Sequence, residues 1–358
     1  MTPFVDACLA APAGVALLAM LEARERTDLR LFEASFDSSP EAVAAAVRTV
    51  ASMSFGELCS VAVSAAEWWV GPWVGDAPMN AARAYRNAEA RRPIAVAIND
   101  RFGAELHASM QPDAQEWWMS ASPTGFTTLS PLFKDYDRVY DAGEFTWAGL
   151  WTVTDPPPET HDDLADAWEI YPGPITRWRL PVRPAPRVFE IHRPDDWVEL
   201  VTSYPKATER RHGSWSLPGP NQTLRGSGLL AVAGQHAAVD DMTTHLVPDW
   251  AAVAADYDVI HLSWAGLITT EGYVSRLGDG ELAMLRFWFS ERSHWLHDHV
   301  GDPVPLPALK LTGRACETTG LDLGSDPARR HADHAVLMRL LGRYLSPRPP
   351  AQKIHRGV

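Results

Sequence analysis

The densest cluster of reactive side chains is His294-x-x-His297-Asp298-His299, three imidazoles and a carboxylate within six residues. On a helix His294 and His297 would share a face, an arrangement that suits a transition metal. The ordinary alternative is a surface helix end. No second group of acids or imidazoles at ligand spacing accompanies the cluster, so no metal is expected. His331 and His334 repeat the spacing, but Arg329 and Arg330 beside them would repel a cation. The fifteen tryptophans offer another kind of chemistry, because flat π-faces stack on sugars and nucleotide bases. Adjacent residues diverge on a helix or a strand. One member of Trp68-Trp69 and one of Trp117-Trp118 should therefore leave the core, although core anchoring is the common fate of a tryptophan. Carboxylates are plentiful, but no spacing singles out a glycosidase pair. G-x-x-x-x-G-K-[ST], helix-opening G-x-G-x-x-G, H-E-x-x-H and G-x-S-x-G are all absent. That argues against P-loop NTPases, simple Rossmann dehydrogenases, zincins and ordinary α/β-hydrolases.

These residues sit in a chain of 358 with 45 acidic and 32 basic side chains, a net charge of −13. Such a balance disfavours nucleic acid as a partner. Only Cys8, Cys59 and Cys316 are present. They form no framework or zinc ribbon, and unpaired thiols in a reducing cytoplasm are expected. The apolar run 9–21 is shorter than the roughly 20 residues of a membrane span. It also lacks the basic start of a secretory leader, so it reads as an internal helix of a soluble, cytoplasmic protein.

The pattern predicts an α+β protein, with a helical N-terminal region followed by a mixed, mostly antiparallel sheet flanked by short helices. Ser39-Pro40-Glu41 opens a helix with Val43, Val47 and Val50 on one face. Further helices are expected over 56–69 and 80–91. The run 94–98 (IAVAI) reads as a buried strand. Residues 145–154, 175–180, 187–192, 258–264 and 285–290 read as strands, and 175–180 and 187–192 are expected to be antiparallel neighbours across a tight Pro-rich connection. Helices are expected near 164–170, after Pro194, after Asp249 and over 333–345. The expected division is an α-rich domain over 1–125, a mixed domain over 126–345 carrying the site, and a basic Pro-rich tail over 346–358.

Along the sheet region, Gly149-Leu150-Trp151-Thr152 closes an aromatic strand ahead of a helix, and further strands lead through Ser263 to Arg286-Phe287-Trp288-x-x-Glu291. This succession resembles the ADP-ribosyltransferase superfamily over about residues 130–300. The resemblance implies NAD as substrate, with a small nucleotide or a protein as acceptor. It makes Glu291 the catalytic glutamate, with Glu271 second, Trp151 the residue against nicotinamide in place of the usual Tyr, and Arg138 the cation that holds NAD. Thr152, Ser263 and Arg177 would contact the dinucleotide. The expected activity is that of an NAD-consuming transferase or glycohydrolase. Trp151 and Glu291 should then line one pocket with Arg138 at its rim and 205–246 as a lid. Two alternatives stand beside it: a non-catalytic, Trp-rich binding or immunity protein with a partner protein, and a metal-dependent enzyme using His294, His297 and His299. For Glu291 and Arg138, surface ion pairing with neighbouring charges is the plain reading.

Overall fold

The computed structural model describes residues 3–23, 38–70, 87–120, 150–168, 175–182, 186–209, 244–278, 280–286, 288–309 and 311. The N-terminal part is helical, as the sequence predicts, with α1 (Pro3–Ala10), α2 (Pro12–Ala23), α3 (Pro40–Ser52) and α4 (Phe55–Val70); α5 (Arg92–Leu106) follows them. Helix α2 is apolar all round and buried from Pro12 to Glu22, the mark of a central helix. Ser39 caps α3, its hydroxyl accepting the Ala42 amide hydrogen at 3.1 Å, and Val43 and Val50 are buried. Ser54 and Glu57 cap α4 reciprocally, at 3.1 and 2.7 Å.

The 94–98 run is helix, not strand. Pro93 occupies the first turn of α5, where its missing N–H costs nothing, and Ile94, Ile98, Phe102 and Leu106 repeat at helical spacing on the buried side. Most of the expected 80–91 helix, residues 80–86, lies outside the described residues, as do 333–345 and Cys316. Cys8 and Cys59 are buried free thiols.

Eleven strands form two sheets among the described residues. The larger contains β1 (Gln115–Ser120), β2 (Leu150–Thr154), β3 (Ile175–Arg179), β4 (Val188–Ile191), β7 (Val259–Leu262), β10 (Arg292–Trp295) and β11 (Val304–Leu309). Its order is β11-β3-β1-β2-β10-β7-β4, antiparallel except for the parallel pair β7–β4. The smaller runs β5-β6-β9-β8, from β5 (Pro205–Glu209), β6 (Thr244–Pro248), β8 (Val274–Gly278) and β9 (Glu281–Met284). Short helices α6 (His161–Ala167), α7 (Pro194–Ser203), α8 (Trp250–Asp256) and α9 (Trp264–Thr270) flank them, with Asp249 capping α8.

The expected hairpin between 175–180 and 187–192 is not formed. Both are strands, but β3 is the second strand from one edge and β4 is the opposite edge. The Pro-rich link is short of amide donors and carries the chain across the sheet. The 285–290 strand is also corrected: β9 ends at Met284, β10 begins at Arg292, and Phe289 has φ 60°.

One hydrophobic core runs from Phe4 in α1 to Leu309 in β11, covering one face of the large sheet, hereafter the helical face. Strand β1, which precedes position 125, pairs with β2 and β3 inside that sheet. The second face carries a smaller cluster of Met110, Leu150, Leu180, Val259, Trp295 and Val300. Helix α9 crosses β4 closely. A Cβ on Gly266 would stand 2.1 Å from the Ile191 carbonyl oxygen, so only glycine fits there. Among the described residues no single helix is long and apolar enough to cross a membrane; α1 and α2 together reach the length but are bent by 89°.

Candidate functional site

Strand alternation puts ionisable side chains into one row on the second face. The parallel register sets Glu190 of β4 beside His261 of β7, and the antiparallel register sets His261 beside Ser293 of β10. His261 Nδ1 donates to Glu190 Oε2, and Nε2 donates to Glu291 Oε1 at 2.8 Å. Carboxylates only accept, so both ring nitrogens carry hydrogen and the ring is an imidazolium. Burial alone would push His261 down, but the two carboxylates outweigh it and raise it to about 9. Burial alone would raise Glu190, but the bond and charge of His261, with the Met110 amide and His192 adding to them, together outweigh it and lower Glu190 from its ordinary value. Glu190 Oε1 accepts the Met110 amide hydrogen at 3.0 Å.

Glu291 opens β10. Its Oε2 accepts from the Thr154 amide at 3.0 Å and its Oε1 from the Thr154 hydroxyl at 2.7 Å. The chain of bonds continues through Gln115, whose Nε2 donates to Thr154 Oγ1 at 2.9 Å and whose Oε1 accepts from Thr152. It ends where Trp295 Nε1 donates to Thr152 Oγ1 at 2.8 Å. The inner members are sealed: Glu291 is 2% exposed and His261 1%. The outer end is not, with the Glu190 and His192 side chains 23% and 26% exposed.

His192 completes that rim. Its Nδ1 lies 2.9 Å from Ser263 Oγ, and its Nε2 lies 3.9 Å from Glu190 Oε2. Ser263 caps α9 by accepting from the Gly266 amide, and donates to the Ile191 carbonyl at 3.2 Å. With the hydroxyl hydrogen so used, His192 Nδ1–H donates to Oγ, which leaves Nε2 on the side of Glu190. Ser263 is 1% exposed and committed to its cap, so it serves as a support rather than a nucleophile. The exposed His107 ring stands 5.9 Å from that of His192, and partial burial and that neighbour lower its pKa. A carboxylate held ionised at a rim can stabilise a developing cation, and an imidazole beside it can accept a proton in its neutral form.

The residues expected from sequence divide between the two faces. Glu291, Thr152 and Ser263 belong to the second face, Thr152 and Ser263 as buried supports. Trp151 does not join them. It alternates with Thr152 and points to the helical face, stacked on His294 at 4.4 Å and 6° between planes. The Arg292 guanidinium lies there too, 5.1 Å from the Trp151 ring and 4.5 Å from that of Trp168. Burial lowers Arg292 to about 9, still charged at neutral pH. The expected shared pocket of Trp151 and Glu291 is therefore corrected by strand parity. Arg177 pairs with Glu116 at 3.2 Å, beside Arg179 at 3.0 Å, away from the row. Arg138 and residues 210–243 of the expected lid lie outside the described residues; the ends of that segment pair as β5 and β6.

The imidazoles of the C-terminal cluster turn apart. His294 is on β10 rather than on a helix, with Trp250 edge-on at 5.0 Å. His297 Nε2 bonds the Ala254 carbonyl at 2.6 Å, and His299 Nε2 lies 3.3 Å from Asp258. Among the described residues no three ligating side chains converge. The sequence reading missed Glu190, His192, His261 and Thr154. Their signal was present: single ionisable side chains at alternate positions of short apolar strands, Phe189-Glu190-Ile191-His192 and Val259-Ile260-His261-Leu262.

Comparison of the chain with protein-family models, with curated proteins and with solved structures finds no match.

Proposed function

We propose that the protein cleaves a glycosidic bond by acid–base chemistry, and that the bond is the nicotinamide–ribose bond of NAD. The Glu190 carboxylate carries this reading: it is the one acid of the row that reaches the rim, and His261 holds it ionised. When the bond breaks, its electron pair leaves with nicotinamide and positive charge develops at the ribosyl carbon. An anion beside that carbon lowers the barrier. His192 Nε2 accepts the proton of the attacking hydroxyl, from water in a glycohydrolase or from a small nucleotide or protein in a transferase. Glu190 thus takes the part that the family resemblance gives to Glu291, which lies too deep to meet a ribose.

The test is incubation of the full chain with NAD and detection of free nicotinamide. Glu190→Gln should lower kcat by about 10²-fold or more, as loss of transition-state charge stabilisation does. Its circular dichroism should match that of the parent, with a urea midpoint lowered by the loss of the His261 ion pair. If neither water nor any acceptor supports nicotinamide release, and calorimetry detects no NAD binding, the reading is lost.

A second reading, a non-catalytic Trp-rich binding protein with a partner protein, draws on another observation. Trp117 and Trp178 stand on the second face with ring centroids 4.9 Å apart, both only half-buried, whereas Trp118 is buried. Under that reading Trp117→Ala abolishes partner binding and Glu190→Gln does not.

A further inference from the structure

Glu291 has the bonds of a catalytic group without the access. Its two oxygens take bonds from His261 Nε2, the Thr154 amide and the Thr154 hydroxyl, and 2% of the residue is exposed. A carboxylate so enclosed touches no substrate. Its cost is nevertheless large, because a buried anion must be met by charge and hydrogen bonds. We infer that Glu291 is a positioning residue that acts through His261: it holds the ring doubly protonated and in one orientation, so that Nδ1–H always meets Glu190 and keeps the rim carboxylate an anion aimed out of the sheet. The inference rests on Glu190 being the working carboxylate of the proposed reaction.

Donor accounting supports it. With both carboxylates in place the row is anion, cation, anion, and every hydrogen on the ring has an acceptor. The titratable groups facing His261 are Glu190 from β4 and Glu291 just ahead of β10, while β2 contributes the Thr154 hydroxyl to Glu291. Beyond Glu190 stands His192, and beyond that His107. On the far side Cys59 of α4 feels the Glu291 charge, which adds to burial in raising that thiol. Arg292, next in sequence to Glu291, points to the other face. Replacing Glu291 with Gln leaves the shape and removes the charge. The amide oxygen can still accept from Thr154, but the amide nitrogen then faces His261 Nε2, which must give up its hydrogen.

The experiment is a long-range nitrogen–proton spectrum of the full chain labelled in its histidine rings, followed with pH. In the parent, His261 should show two protonated nitrogens at neutral pH and lose one only near pH 9. In Glu291→Gln, Nε2 should be bare at neutral pH, so the titration midpoint should fall from about 9 to below 7, by about two units or more, within the scale of losing one close opposite charge. Glu291→Asp keeps the charge and should restore a doubly protonated ring in part. A packing role reverses that order, with Gln tolerated and Asp damaging. In turnover, Glu291→Gln should lower kcat with KM little changed, and should move the acid limb of the pH profile upward as Glu190 loses its cation.

A parent His261 with a single ring proton at pH 7 overturns the inference, as does a folded Glu291→Gln that keeps both. Should Glu291→Gln fail to fold, the parent spectrum still decides. The spectrum needs no turnover. A His261 that behaves as expected in a protein that never releases nicotinamide sinks the glycosidic reading alone. Turnover with an indifferent His261 sinks the positioning role alone.

Discussion

On the second face of the large sheet, charge is met by charge: His261 lies between Glu190 and Glu291, and each hydrogen has a named acceptor. On the helical face the buried Arg292 cation lies over the rings of Trp151 and Trp168, and His294 stacks on Trp151. The same strands, β2 and β10, supply both arrangements by alternation. A hydrogen-bonded ion row depends on the protonation of its partners, so it answers to pH. A stack of rings depends on volume and contact, so it answers to truncation. Chemistry belongs with the first and rigidity with the second.

The largest test of that contrast is Trp288→Ala. Trp288 is fully buried and meets Trp151 edge-on at 4.9 Å. Its removal should cost about 3–5 kcal/mol in urea unfolding, as core Trp truncation does, while the His261 spectrum stays unchanged. A loss below about 1 kcal/mol would remove the helical face from its structural role. Gly266→Ala comes next. With the Ile191 carbonyl in the way, overpacking should cost about 2 kcal/mol. Because α9 also carries Ser263, this variant should disturb His192 as well, which a change on the ring-stacked side would not do.

A gentler probe is pH. His261 has a folded pKa of about 9, above its ordinary 6.5, so its contribution to stability is complete below the ordinary value and is lost as pH rises through about 9. Glu190 is shifted the other way, so its contribution is present above its ordinary 4.5 and is lost as pH falls through its lowered value. Urea midpoints should therefore fall at both ends. Trp288→Ala should lower the whole curve without changing its shape; a changed shape would mean that the two faces are coupled. Smallest is Ser39→Ala, remote from both faces, which should cost about 1 kcal/mol for a lost N-cap and leave turnover and the pH curve intact.

Local signals in the sequence were reliable where the physics is local. The helices opened by Ser39, Pro194 and Asp249 and the strands β3, β4 and β7 all appear as read. The run 94–98 misled because a short apolar stretch fits either a strand or a buried helix, and Pro93 gave the deciding start signal. Strand order was not legible, because pairing is decided by partners far along the chain. Glu291 could be singled out, but its partner His261 is 30 residues away and Glu190 is a further 71 from His261. Trp151 was grouped with Thr152 by adjacency, whereas parity along a strand separates neighbours.

The order of the large sheet also governs how the chain reaches its native state. The middle strand, β2, pairs with β10, and the bond between Thr154 and Glu291 spans 137 residues. β3 and β4, close in sequence, never meet in the sheet. Closing such distant segments spends chain entropy before any contact rewards it, so high contact order slows folding toward the millisecond-to-second range or beyond. During synthesis α1 to α5 and β1 to β4 exist before β7 and β10 have been made, so the edges of β2 and β4 wait unpaired. Newly made chains are then most vulnerable to aggregation just before the C-terminal third is complete.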